Sequence, residues 1–327
     1  MSGDQSYRDR RRALAAVARQ TKALTPTIMA DLPHLDATHS ELLTLANLPP
    51  LDPAACPGFV APGAAVRGTP IRVLNQDSFD AAIAMTRASA LSASASTTAN
   101  DDDAAQLLNH LSTAAQQPAA LDATAAPRVA VLNMASDKNP GGGWLGGSSA
   151  QEEALCFRST LAASLSRRFY PFPPRGGLYS RDVVVFREGM GNGHGLMSGA
   201  GARPVVSVLS VAGVRRPEVE EAGAAGRLVF AESAVRELTK DKMRLCLRMA
   251  ASRGHVMLVL GALGCGAFRN PPHEVADCWM EVLSEDEFAG GWFREIWFAV
   301  YDRKGEGNFE IFRDVLDGKI VGEVASS

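Results

Sequence analysis

Residues 133–158 read Asn-Met-Ala-Ser-Asp-Lys-Asn-Pro-Gly-Gly-Gly-Trp-Leu-Gly-Gly-Ser-Ser-Ala-Gln-Glu-Glu-Ala-Leu-Cys-Phe-Arg. An apolar run at residues 129–132 comes just before them and predicts a buried strand. The three glycines at 141–143 allow positive φ and a close approach of the backbone to a ligand. The Gln-Glu-Glu at 151–153 supplies adjacent carboxylates, which are candidates for general acid/base catalysis. The order of strand, glycine loop, carboxylates and helix predicts a functional site at the end of a strand.

A purely structural interpretation of the carboxylates is also open. Ser149 stands three residues before Glu152, and Ser-x-x-Glu is the pattern of a capping box that opens a helix. In that case the only role of Glu152 is to cap the helix. A cap requires neither the upstream glycines nor a second carboxylate at Glu153, so the combination favours a functional site.

A second glycine loop follows another apolar run. Residues 255–260 predict a buried strand, and they lead into Gly-Ala-Leu-Gly-Cys-Gly-Ala-Phe-Arg-Asn-Pro-Pro at 261–272 before a helical pattern over 273–283. Backbone N–H groups in such a loop, together with a helix N-terminus, form an anion cradle, and we expect a phosphate there. The loop is neither the dinucleotide fingerprint, because Arg269 stands where its third glycine would be, nor a P-loop.

Composition is that of an ordinary enzyme. The chain has 327 residues, 46% of them hydrophobic, which suffices for one large α/β domain or two small ones. A net charge of −3 gives no sign of a nucleic-acid or membrane surface, so a polyanionic substrate would need a local site. We expect no membrane span, signal sequence, metal or cofactor. Five scattered cysteines without a Cys-x-x-Cys pair predict a reducing intracellular compartment, cytoplasmic or nuclear.

The chain divides into an N-terminal part, residues 1–69, and a core, residues 70–327. The first part begins with a basic helical pattern over 4–25, expected to pack on the domain, and continues through an irregular connection over 48–70. The Ala, Ser, Thr, Asp and Gln-rich stretch at 89–127 predicts a loosely ordered, dispensable insertion, with a possible helix at 104–115.

Strand and helix patterns alternate through the core. A strand over 70–75 is followed by a helix from about Phe79, for which Asp77 or Ser78 is a plausible cap, and we expect this strand to pair with the one at 129. The alternation predicts a mixed or parallel sheet covered on both faces, with ligand loops at the carboxyl ends of its strands. Further strands are predicted at 183–186, 204–211, 256–260 and 295–301, and further helices at 154–166, 231–253, 273–283 and 309–316.

The two glycine loops and the Gln-Glu-Glu resemble the motifs of the poly(ADP-ribose) glycohydrolases, in particular the microbial-type members of that macrodomain family. The resemblance spans roughly residues 11–316. It implies a macrodomain-like fold, a three-layer α/β/α sandwich with a mixed sheet and an N-terminal helical extension. It also implies hydrolysis of the ribose–ribose O-glycosidic bonds of poly(ADP-ribose), releasing ADP-ribose, in the reversal of ADP-ribosylation and hence in the DNA damage response.

The resemblance also implies the site residues. Glu153 would act as general acid and later as base, while Glu152 would grip ribose hydroxyls. Phe268 would pack on the terminal ribose, with a core role as the equal alternative, and Tyr301, at the end of the last strand, would stack on adenine unless Phe298 does. The other substrate-binding residues would be Asp77 against the adenine amine, Asn133, Asn139, Gly141, Gly142, Gly143 and Gln151 around the terminal ribose, and Gly264, Cys265, Gly266 and Ala267 around the diphosphate.

Two other functions share the same pocket. A non-catalytic ADP-ribose reader would use the glycine loops but would not need two carboxylates beside an anionic ligand. A hydrolase acting on mono-ADP-ribosylated proteins or on O-acetyl-ADP-ribose stays open. The expected partners are poly(ADP-ribose) or ADP-ribosylated proteins, with no direct contact to nucleic acid or membrane, and the protein is expected to be a monomer. Cutting from chain ends is favoured, because no counterpart of the tyrosine-bearing clasp of the human-type enzymes is evident.

Overall fold

The computed structural model describes residues 3–63, 66–97, 128–198, 203–223 and 226–325. Within those ranges the chain forms seven α-helices: α1 Gly3–Ala30, α2 Ser78–Thr97, α3 Gln151–Arg158, α4 Leu161–Ser164, α5 Ser233–Ser252, α6 Pro272–Leu283 and α7 Asn308–Leu316. The strands are β1 Glu41–Thr44, β2 Val66–Leu74, β3 Ala130–Met134, β4 Gly176–Val184, β5 Val205–Val211, β6 Val219–Ala222, β7 Arg227–Phe230, β8 Met257–Leu260, β9 Glu295–Ala299 and β10 Ile320–Ala325.

Eight strands form one mixed sheet in the order β1-β4-β5-β3-β8-β9-β2-β10. The central five, from β5 to β2, are parallel, and antiparallel strands complete both edges. Since the central strands are parallel, the loops after β3, β8, β9 and β2 emerge side by side at one edge of the sheet. Both glycine loops lie at this edge.

Helices cover both faces of the sheet, as the apolar strands require. Residues of α5, α6 and α7 share one buried cluster with the inward side chains of the strands, and residues of α1, α2 and α3 share the cluster on the opposite face. The predicted three-layer α/β/α sandwich with a mixed sheet is therefore confirmed.

The N-terminal helix is longer than its pattern predicted, and it packs on the domain as expected. Leu14 and Ala18 of α1 are buried with α2 and α3, and the Thr21 hydroxyl donates to the Phe157 carbonyl at 2.7 Å. The arginines near the start of α1 remain exposed. No helix of the described residues is long and apolar enough to cross a bilayer.

Several sequence predictions are corrected. The strand at 129 does not pair with β2, since β8 and β9 lie between them. The predicted helix over 154–166 is two helices, because Ser159 extends the backbone and bridges to Val185. Residues 89–97 are not a loose insertion but the end of α2, whereas the rest of the insertion, 98–127, and the helix predicted at 104–115 lie outside the described residues.

Four further strands, β1, β6, β7 and β10, escaped the sequence patterns, and the predicted strand β2 has other bounds. Strand β1 and the β6–β7 hairpin are only four residues per strand, too short for a clear alternation. Strand β10 follows β9 along the chain, so Tyr301 does not end the last strand. Strand β2 begins at Val66 rather than residue 70, since edge pairing with β10 extends it.

Candidate active site

The Gln151 side chain fixes the start of α3 to the end of β3. Its Oε1 accepts from the Met134 N–H at 2.9 Å, and its Nε2 donates to the Leu132 carbonyl at 2.7 Å and to Ser78 Oγ at 3.1 Å. Both polar atoms of the amide are thus bound to protein, which gives Gln151 a positioning role. The carboxylates that follow it are thereby placed under the first glycine loop.

Glu153 joins the glycine loop to the first turn of α3. Its Oε1 accepts from the Gly143 N–H at 2.8 Å, and its Oε2 accepts from the Ala150 N–H at 3.0 Å. Helix α3 is therefore capped by Glu153 reaching back to Ala150, so the capping box of Ser149 and Glu152 considered from the sequence is wrong.

Glu152 is the more deeply buried of the two carboxylates. Its Oε2 accepts from the Ser136 N–H at 2.8 Å, while its Oε1 has no hydrogen-bond partner within the described structure. Burial raises its pKa from 4.5 to about 8, the hydrogen bond from the Ser136 N–H opposes the rise, and the charge of Glu153 adds to it. Near neutral pH Glu152 therefore holds a proton.

The glycine loop approaches both carboxylates so closely that a side chain has no room. A Cβ on Gly142 would lie 2.5 Å from Glu153 Oε1 and 3.0 Å from Glu152 Oε2, and its φ of 59° is one that L residues rarely adopt. Both carboxylates therefore face the same side of one peptide, although they are adjacent on a helix. The loop thus lies beside the acids, as the sequence predicted, and its contact with a ligand stays a prediction.

The two asparagines of the predicted ribose site occupy different environments. Asn133 is fully buried, and its Nδ2 donates to Ser210 Oγ at 3.0 Å beside Glu152. The exposed Asn139 closes the glycine turn through its carbonyl, which accepts from the Gly142 N–H at 2.9 Å. Asn139 is therefore exposed beside the glycine turn and Asn133 is buried, and the contacts of both with the ribose stay predictions.

The second glycine loop has the form of an anion cradle. Within the described chain, the backbone N–H groups of four residues donate to no protein acceptor: Gly264, Gly266, Ala267 and Phe268. Asn270 anchors the loop, because its Nδ2 donates to the carbonyls of Val214 at 2.6 Å and of Gly264 at 3.1 Å. Cys265 is buried, burial raises its thiol pKa, and its N–H already donates to the Ala262 carbonyl at 3.1 Å, so Cys265 shapes the loop and offers no free donor to a diphosphate.

The aromatic alternatives are resolved by burial. Phe298 is buried in the core between Trp279 and Phe312, which excludes it as the adenine platform. Tyr301 is 52% exposed after β9 and stays available for stacking. Phe268 is half-buried and belongs to none of the buried clusters, which argues against a core role, and its contact with the ribose stays a prediction.

Asp77 lies in an ion-pair cluster at the start of α2. Its Oδ1 caps the helix by accepting from the Phe79 N–H at 2.9 Å, as the sequence predicted, and it also pairs with the fully buried Arg158. Arg158 Nη2 pairs with Asp80 at 2.6 Å. Because Asp77 Oδ1 makes both the capping contact and the contact with Arg158, the predicted contact of Asp77 with adenine would be made by its other carboxylate oxygen, Oδ2.

Sequence reasoning missed Arg158 and Tyr170. Arg158 stands seven residues after Gln151, which is two helical turns along the same face of α3. Its location on the face that carries Gln151 could therefore have been inferred from the sequence. The Tyr170 hydroxyl is buried without a partner in the described structure, and burial followed by the charge of Glu152 raises its pKa. Only the fold brings Tyr170 to the acids, so no local pattern announces it.

A segment comprising residues 187–197 borders the Asp77 end of the site. A Cβ on Gly189 would lie 2.9 Å from Asp80 Oδ2, and Arg303 Nη1 contacts Met190 Sδ at 3.1 Å, two residues after Tyr301. Arg187 Nη1 donates to the His194 carbonyl at 2.8 Å and closes the segment. This segment therefore contacts the predicted adenine end of the site.

Comparisons with known proteins agree with this site. Residues 64–188 match the model "Microbial-type PARG, catalytic domain", a range that includes Asp77, the first glycine loop and both carboxylates. No curated protein matches the chain.

Among solved structures, the poly(ADP-ribose) glycohydrolase of Thermomonospora curvata is 25% identical with a TM-score of 0.65, covering 93% of this chain and 99% of that one. The same enzyme bound to the inhibitor ADP-HPD is 24% identical, with a TM-score of 0.63 and the same coverage. The Deinococcus radiodurans enzyme in complex with ADP-ribose is 25% identical with a TM-score of 0.59, covering 89% of this chain and 97% of that one. The chain is thus a relative of the microbial-type poly(ADP-ribose) glycohydrolases: it shares their fold, and residues 64–188 match their catalytic domain.

Proposed function

We propose that this protein is a poly(ADP-ribose) glycohydrolase, a glycoside hydrolase that cleaves ribose–ribose O-glycosidic bonds. The observation that carries the proposal is the carboxyl pair under the glycine loop. It retains one proton near neutral pH, because the pKa of Glu152 is raised to about 8. Cleavage through an oxocarbenium-like transition state needs such a proton for the leaving oxygen and then an activated water.

Within the pair, Glu153 is the proposed proton-transfer residue. The free Oε1 of Glu152 is sealed from solvent, whereas Glu153 Oε1 lies at the Gly142 and Gly143 peptides that would face the terminal ribose. Glu152 supports the reaction by storing the proton of the pair and by holding the Ser136 N–H. As the substrate binds, the proton held by Glu152 would pass to Glu153, which would give it to the leaving ribose oxygen and then take a proton from the attacking water, so that the pair regains its proton.

The rest of ADP-ribose fits along the sheet edge. The diphosphate would accept hydrogen bonds from the open N–H groups of Gly264, Gly266, Ala267 and Phe268, and adenine would lie near Asp77 and Tyr301. From the terminal ribose through the diphosphate to adenine, these positions follow the strand order β3, β8, β9 and β2.

The proposed mode of cutting is from chain ends. The segment 187–197 and α1 border the adenosine end, since Arg187 Nη2 donates to Gln20 Oε1 at 3.4 Å and Gly189 adjoins Asp80. A site closed there admits the last unit of a polymer only.

Incubation with long poly(ADP-ribose) tests both the proposed hydrolysis and the proposed cutting from chain ends. We expect free ADP-ribose as the main product from the earliest times, with gradual shortening of the polymer. Early release of oligomers would contradict chain-end cutting. Binding of ADP-ribose without any hydrolysis would instead establish the reader, and release of ADP-ribose from mono-ADP-ribosylated protein alone would establish the other hydrolase.

A further inference from the structure

A basic groove lies beside the first glycine loop, residues 141–143, which we call the catalytic loop below. It is found where the start of α1 meets the turn that follows these glycines. Its volume is about 360 Å³, and it is lined by Tyr7, Arg8, Arg11, Arg12, Ala15 and Gly146. Residues 8–12 read Arg-Asp-Arg-Arg-Arg in a chain whose net charge is −3. Asp9 does not line the groove and accepts instead from Gln5 Nε2 at 3.2 Å. The groove is therefore a local concentration of positive charge.

Hydrogen bonds tie this groove to the catalytic loop. Arg11 donates through Nε and Nη2 to the Gly146 carbonyl at 3.2 and 3.0 Å. The turn that contains Gly146 closes when the Ser148 N–H donates to the Gly143 carbonyl at 3.2 Å, and the Gly143 N–H is the one bound by Glu153. A single short turn therefore separates the arginines from the proposed catalytic acid.

The direction of α1 places the groove at one end of the site. Thr21 and Gln20, in the second half of α1, contact Phe157 and Arg187 near the cluster of Arg158 and Asp77. The first half of α1 lies instead at the carboxylate end of α3. The groove is thus on the side of the carboxylates opposite to Asp77, where a polymer chain would continue beyond the bond being cleaved.

We propose that this groove binds the next ADP-ribose unit of poly(ADP-ribose), on the leaving side of the scissile bond. The inference rests on the proposed function and deepens it by naming a second subsite. The diphosphate of that unit carries two negative charges, which Arg8 and Arg12 meet with charge-assisted hydrogen bonds. Tyr7 is 60% exposed and offers a ring on which the adenine of the unit stacks. Such a subsite favours polymer over a single ADP-ribose attached to protein.

The test compares two substrates in a variant with both Arg8→Ala and Arg12→Ala and in a separate Tyr7→Ala variant. One substrate is long poly(ADP-ribose), and the other is ADP-ribose joined at its terminal anomeric carbon to a small fluorescent phenol, which has no leaving-side nucleotide. Arg10 and Arg19, on the same helix but outside the groove, supply a control with the same charge change, Arg10→Ala with Arg19→Ala. Arg11 is left intact because it anchors the loop.

For the double arginine variant, kcat/KM on polymer should fall roughly tenfold, as expected for losing two charge-assisted phosphate contacts. The salt dependence of polymer turnover should weaken, by about 0.7 in logarithmic slope for each contact. On the phenol substrate kcat/KM should stay within about twofold of wild type, since neither arginine reaches its leaving group. The control variant should match wild type on both substrates. The Tyr7→Ala variant should lose activity on polymer only.

Unchanged activity on polymer would overturn the subsite, and so would an equal loss on both substrates, which would mean that α1 only positions the loop. If wild type cleaves neither substrate, the proposed function fails, and binding of polymer by Glu153→Gln with and without the arginine changes then tests the groove alone. Equal competition by a single-stranded RNA of matching charge would overturn the assignment in favour of a general nucleic-acid groove.

Discussion

Glu153 Oε1 lies 2.8 Å from the Gly143 nitrogen, and its other oxygen lies 3.0 Å from the nitrogen of Ala150. One side chain thus fastens the glycine loop to the helix that carries it. The proposed proton donor is therefore held by two backbone N–H groups rather than by another side chain. Its position depends on the loop, and the position of the loop depends on it.

Replacement of Glu153 by Gln removes the transferable proton and keeps the shape. We expect kcat on poly(ADP-ribose) to fall by roughly a hundredfold or more, the usual contribution of general acid/base catalysis. Binding of ADP-ribose, measured by calorimetry, should survive, and the melting temperature should be checked because an amide can accept only one of the two N–H bonds. The matched variant Glu152→Gln should retain more activity, and the reverse ranking would transfer the catalytic role to Glu152.

The raised pKa of Glu152 makes folding stability depend on pH. Its pKa of about 8 in the folded protein exceeds the ordinary 4.5, so between these values the folded state holds a proton that the unfolded state has lost. Stability should therefore fall as pH rises through this window and level off above about pH 8. From pH 6 to 8 the contribution of this group is at most roughly 2.7 kcal/mol.

Denaturant unfolding of wild type and Glu152→Gln at pH 6 and 8 measures this contribution. The variant should show a smaller pH-dependent loss. Glu281→Gln is a suitable control, because Arg236 lowers the pKa of Glu281 and the group stays ionised throughout this window. Identical pH dependence in wild type and Glu152→Gln would show that Glu152 is not protonated in the folded protein.

Gly266 tests the diphosphate cradle. The left-handed residue of this loop is Gly264, whereas a Cβ on Gly266 meets nothing within 4 Å. Gly266→Ala and Gly266→Val should therefore fold with little change in melting temperature, while the side chain enters the space left for the phosphates. We expect a graded loss of ADP-ribose affinity, larger for Val. An unchanged dissociation constant in both variants would argue against the cradle.

Gly147 tests how far the catalytic loop depends on α1. A Cβ at this position would lie 2.0 Å from the Arg11 carbonyl oxygen, so Gly147→Ala should push α1 off the loop and reduce hydrolysis of polymer and phenol substrate alike. Gly254→Ala is the matched control, because its φ of 73° resembles the 76° of Gly147 and its Cβ meets nothing within 4 Å. Both changes carry the left-handed strain of roughly 1–2 kcal/mol. Only Gly147→Ala should add a loss of activity, and equal activities in the two variants would mean that the contact is dispensable.

Local sequence was sufficient for the elements that carry the site. The apolar run before the first glycine loop, the Asp77 cap and the two loops at strand ends are written in consecutive residues, and they lie where those residues predicted. The protonation of Glu152, by contrast, could not be predicted from the local sequence. Burial in the fold raises the pKa of Glu152, and only tertiary burial distinguishes two adjacent glutamates.

Contacts between distant segments were also invisible to the sequence patterns. The order of strands could not be read from the chain, since the partner of each apolar run is chosen by packing rather than by its own residues. Tyr170 and Arg11 reach the site only because the fold places them there. The short strand β1 carries too few residues for a period to show.

The contact between Arg11 and Gly146 joins residues 135 positions apart. During synthesis α1 must therefore leave the ribosome and wait until the glycine loop and α3 follow. At translation rates of about 5–20 residues per second, this delay is on the order of ten seconds. An amphipathic helix with a basic exposed face can stay in solution for that time, and its docking on the nascent loop would mark the moment at which the catalytic carboxylates acquire their final surroundings.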